Sequence, residues 1–96
     1  MNSPLLLMAP LYPATQQELE TRYRCHRLWE AADPAQLLAR IGADCRVAVT
    51  NGGRGIEAAT MERLPALQLV ANFGVGVDAL DLNWCRAHGV AGTNTP

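Results

Sequence analysis

Two glycine-rich segments hold the residues whose types and spacing can do chemistry: Asn51-Gly52-Gly53-Arg54-Gly55 and Gly74-Val75-Gly76-Val77-Asp78-Ala79. Glycines leave backbone N–H groups unshielded, and a turn of oriented peptide dipoles binds an anion without any basic side chain. For the second segment three readings stand. It is a seat for a small carboxylate, a purely structural tight turn, or the G-x-G-x-x-A form of the dinucleotide fingerprint. Three points oppose the dinucleotide reading. The next helix starts at Asp81 rather than inside the motif, Asp78 would repel a pyrophosphate, and the acidic residue expected about twenty positions later lies outside the chain. The first segment reads as a flexible strand-to-helix turn, or as a loop in which Arg54 meets a substrate carboxylate.

Other reactive side chains have structural roles by position. His88 precedes Gly89 at a helix end, where an imidazole interacts well with the helix dipole, so a general-acid role is not assigned to it. His26 opens an expected edge strand without a visible partner. Asp78 and Asp81 are not spaced as an acid/base pair and read as loop-bracing and capping residues, while Trp29 and Trp84 read as packing residues. No catalytic residue, cofactor ligand or metal ligand is assigned within the chain.

The elements that position these loops follow from the apolar pattern. Leu5-Leu6-Leu7-Met8 is a continuous apolar run, as in a strand buried on both faces of a parallel sheet. Thr15-Gln16-Gln17-Glu18 fits a capping box that opens a helix, with Leu19 and Tyr23 as its buried stripe. His26 to Trp29 forms a short second strand. Asp33 caps the next helix, with Pro34 at its first position; Leu37, Leu38 and Ile41 face inward and Gly42 ends it.

Val47-Ala48-Val49 is the third strand and leads into the first glycine loop. A helix over Glu57 to Arg63 stops before Pro65, and Leu67 to Ala71 forms the fourth strand. Asp81 caps a helix running to His88, Gly89 stops it, and Val90-Ala91-Gly92 begins the fifth strand. Five such units with helical crossovers predict an α/β fold, a flavodoxin-like, doubly wound parallel sheet of order 2-1-3-4-5. Ligands then sit beyond the carboxyl ends of the strands, where both glycine loops fall.

Composition narrows the classes. The 96 residues, 49% hydrophobic and 18% charged, suit one ordinary globular domain. A net charge of −1 gives no electrostatic reason to expect nucleic acid or a membrane as partner. Cys25, Cys45 and Cys85 form neither an even framework nor a C-x-x-C pair, which points to reduced thiols and a cytoplasmic location. The apolar start lacks a basic leader and is interrupted by Pro10 and Pro13, so it reads as a core strand rather than a signal peptide.

The stretch from Leu67 through Asn72-Phe73-Gly74-Val75-Gly76-Val77-Asp78-Ala79-Leu80-Asp81-Leu82, then Arg86-Ala87-His88-Gly89-Val90 and Thr93-Asn94-Thr95-Pro96, resembles the D-2-hydroxyacid dehydrogenase family. The openings Leu6-Leu7-Met8-Ala9-Pro10-Leu11 and His26-Arg27-Leu28-Trp29-Glu30-Ala31-Ala32-Asp33 look like its glyoxylate/hydroxypyruvate and hydroxyphenylpyruvate reductase branch. The resemblance implies a two-domain enzyme that reduces a 2-keto acid to the D-2-hydroxy acid with NADP or NAD, usually as a homodimer. It implies that residues 1–96 are the N-terminal segment of the substrate-binding domain. The main-chain amides at Val75 and Gly76, beside Gly74, would hold the substrate carboxylate, and Asn51, Gly52 and Gly53 would line the pocket. The family's catalytic histidine, glutamate and arginine, and its nucleotide domain, fall beyond the position matched by Pro96, so the chain alone is expected to be inactive. The other classes open are a non-catalytic flavodoxin-like module that binds a small carboxylate and a receiver-type or scaffolding domain, the receiver being opposed by a first strand that ends in Met8-Ala9-Pro10 rather than in acidic Mg²⁺ ligands.

Overall fold

The computed structural model describes residues 4–51, 56–73 and 82–95. Among them, strand β1 (Pro4–Leu7) is followed by helix α1 (Pro13–Arg22), β2 (Arg24–Arg27), a 3-10 turn (Leu28–Glu30) and α2 (Pro34–Ile41). Then come β3 (Val47–Asn51), α3 (Ala58–Met61), β4 (Leu69–Phe73), α4 (Leu82–Ala87) and β5 (Ala91–Thr95). The strands form one parallel sheet in the order β2-β1-β3-β4-β5, the expected topology.

The period-2 alternation of side chains divides the core between the two faces of this sheet. Leu6, Ala48 and Val70 point to the face covered by Leu37, Leu38 and Ile41 of α2, Met61 of α3 and Cys85 of α4. Leu5, Leu7 and Val49 point to the other face, where Leu19 of α1 packs against them. Burying residues such as Leu6 and Leu7 completely contributes about 1.5–3 kcal/mol each. This central apolar layer fixes the strand register, because a one-residue slip would reverse both faces.

Several local expectations hold. The Asp33 carboxylate accepts from the Gln36 backbone N–H at 3.2 Å, with Pro34 at the first helical position. Asp33→Ala is expected to destabilise the protein by about 1 kcal/mol, seen as a lower urea midpoint at unchanged m-value. Gly89 adopts φ +70°, the left-handed conformation that stops α4.

Others are corrected. Helix α1 starts at Pro13, not after a Thr15 cap, and Thr15 makes no capping hydrogen bond. Here Gln16 reaches back instead of Glu18: its Oε1 accepts from the Leu11 N–H at 3.0 Å. Tyr23 terminates the helix in extended backbone and is 48% exposed, so it does not belong to a buried stripe. The second strand ends at Arg27, and Leu28-Trp29-Glu30 turn away as 3-10 helix, leaving Trp29 exposed rather than packed. The helix expected over Glu57 to Arg63 is a single turn, Ala58–Met61, that unwinds through turns ahead of Pro65. Strand β4 runs two residues later than expected, to Phe73, because the Gln68 and Leu69 N–H groups both donate to Arg46 O as it enters the sheet.

Candidate carboxylate-binding edge

β3 and β4 pair in register, Thr50 opposite Asn72 and Asn51 opposite Phe73. The chain therefore leaves both strands at the same level, and the segments that follow, 52–55 and 74–81, depart from neighbouring points. Adjacent strands lie about 4.8 Å apart. β5 continues this edge, with Asn94 and Thr95 in register with Asn72 and Phe73.

Thr50 and Asn72 are completely buried beneath this edge, and both engage in polar contacts. Sequence reading passed over them. The signal was present: each is a polar residue closing an apolar strand directly ahead of a glycine loop. Buried polar groups are retained where hydrogen bonds satisfy them, and such groups fix the exit of a loop.

Asn51 is the one predicted binding residue that the structure describes. It is half-buried, and its Nδ2 donates to Pro10 O at 3.2 Å, across 41 residues of sequence. The Met8 N–H donates to Val49 O at 2.8 Å, a second link between the same two strands' exits. Thus the loop after β1 is fastened to the end of β3. Gly52, Gly53, Gly74, Val75 and Gly76 lie outside the described residues, as do Arg54, Asp78 and Asp81.

The histidines are elsewhere. His88 sits at the end of α4, which leads into the start of β5 and so lies at the opposite edge of the sheet. Its ring stacks on Trp84 at 3.9 Å between centroids, and Nδ1 lies 2.8 Å from Trp84 O. His26 lies on edge strand β2; desolvation, then the charges of Arg40 and Arg24, hold its pKa below the ordinary imidazole value.

The strongest ion-pair network is also distant from the edge. Arg27 grips both carboxylate oxygens of Glu20 at 2.6 and 2.8 Å and reaches Glu30 at 3.0 Å, tying β2 to α1. The hydrogen bonds from Arg27 hold the Glu20 carboxyl below the usual carboxylate range. None of the three cysteines is in a disulfide; Cys45 and Cys85 are buried and Cys25 is half-buried. Burial pushes the Cys25 and Cys45 thiols up, away from the reactive thiolate. Among the described residues no group of His, Cys, Asp and Glu could hold a metal, and no helix is long and apolar enough to cross a membrane.

Comparison with known proteins agrees with this architecture. A hydroxyphenylpyruvate reductase of Plectranthus scutellarioides is 36% identical over 92 residues, covering 96% of this chain and 29% of that protein. The crystallised 2-hydroxyacid dehydrogenase of Ketogulonicigenium vulgare Y25 superposes with a TM-score of 0.94 at 39% identity, over 100% of this chain and 30% of that one. The NADPH-dependent glyoxylate/hydroxypyruvate reductase of Sinorhizobium meliloti, crystallised with NADP and malonate, has a TM-score of 0.81 at 30% identity, over 100% and 29%. The chain thus spans about three-tenths of the length of these relatives. Residues 5–96 match the family model for the D-isomer specific 2-hydroxyacid dehydrogenase catalytic domain, and the chain belongs to that family.

Proposed function

We propose that this chain is the N-terminal segment of the substrate-binding domain of a 2-keto acid reductase acting on glyoxylate, hydroxypyruvate or a similar acid. The observation that supports the reading is that β3 and β4 end in register, at Asn51 and Phe73, each directly ahead in sequence of a glycine-rich segment, in a member of this family. Backbone amides of Val75 and Gly76, next to Gly74, hold the substrate carboxylate, and Asn51, Gly52 and Gly53 line the pocket. The Asn51 anchor on Pro10 holds that wall in place. A carboxylate held by main-chain donors suits an enzyme that must accept one charged group and vary the rest of the substrate.

The nicotinamide cofactor, NADP or NAD, supplies a hydride to the keto carbon, and a protein acid outside this chain protonates the resulting alkoxide. Asp78, close behind the glycines in sequence, would repel a pyrophosphate, which weighs against a dinucleotide fingerprint there. The cofactor is accordingly held mainly by the part of the protein beyond these residues. The malonate-bound relative supports a carboxylate site, and its NADP supports the cofactor class. The reading includes a cytoplasmic homodimer without nucleic-acid or membrane partners.

The test uses the protein from its complete reading frame. NADPH or NADH oxidation is expected only when glyoxylate, hydroxypyruvate or a related 2-keto acid is added, with D-2-hydroxy acid as product. A protein that oxidises neither cofactor with any of these acids rejects the reading.

A further inference from the structure

We draw no further inference here: the strongest candidate, the cleft between β2 and α2 lined by His26, Arg27, Glu30, Asp33 and Arg40, points to no class of ligand, because Arg27 is paired with Glu30, Asp33 caps α2, and nothing in the structure shows what covers it.

Discussion

Gly76→Leu in the full-length protein is expected to raise the KM for a 2-keto acid by about ten- to a hundredfold, while the KM for the nicotinamide cofactor stays within about twofold. The proposed grip on the acid is two main-chain N–H donors aimed at a carboxylate. Hydrogen bonds to a charged group contribute roughly 1.5–3 kcal/mol each. If those donors are the amides of Val75 and Gly76, a branched side chain at Gly76 would crowd the carboxylate they hold. On the same proposal the cofactor is held elsewhere and would not meet that side chain. Steady-state kinetics with each substrate varied separately makes the distinction. Unchanged KM for the acid, or an equal rise for both, would remove Gly76 from the carboxylate seat.

Gly42→Ala is expected to cost about 2–3 kcal/mol of stability, a large value for one added methyl group. Gly42 closes α2 with φ −58°, a helical value open to any residue, so its backbone freedom is not the reason for glycine. The reason is space. A Cβ there would overlap the carbonyl oxygen of Arg63 and lie 2.7 Å from that of Leu38. Both are backbone atoms, and neither can rotate aside.

Arg63 is further fixed by its own N–H, which donates to Thr60 O at 3.1 Å, and by Leu64 beside it, whose side chain is buried. Accommodating the methyl therefore separates the end of α2 from the turn after α3 and opens the core around Ile41, Met61 and Leu64. A urea midpoint within experimental error of wild type would show that the two turns can part without loss.

The sheet was legible from sequence because its signals are short-range. Leu5 to Met8 is too apolar to be anything but buried, and the pairs Asp33-Pro34 and His88-Gly89 mark helix ends through local backbone chemistry. The family resemblance rested on residues in the same order. The misreadings had equally physical causes. Thr15 and Glu18 have the right spacing for a capping box, but Pro13 begins the helix earlier and Gln16 takes the reaching-back role.

Trp29 reads as a packing residue by type, yet it follows the end of an edge strand, where little remains to cover it. Gly42 reads as a helix stop, whereas its size matters because of Arg63, twenty-one positions later. Such contacts between distant segments cannot be read from local spacing. The same holds for the site: the glycine loops were visible as loops, but the buried Thr50 and Asn72 and the Asn51–Pro10 link depend on which strands are neighbours.

The placing of the first strand inside the sheet, between β2 and β3, also constrains the order in which a nascent chain can fold. β1 needs β3 on one side and β2 on the other, and its Leu7 pairs with Val49, forty-two residues later. At a synthesis rate of about 5–20 residues per second, that leaves Leu5-Leu6-Leu7 without its principal neighbour for roughly two to eight seconds. During this interval the emerging polypeptide carries an apolar segment that has yet to be covered. Arg24 and Arg27, the charges at either end of β2, help keep the later-formed sheet edge from templating a second chain.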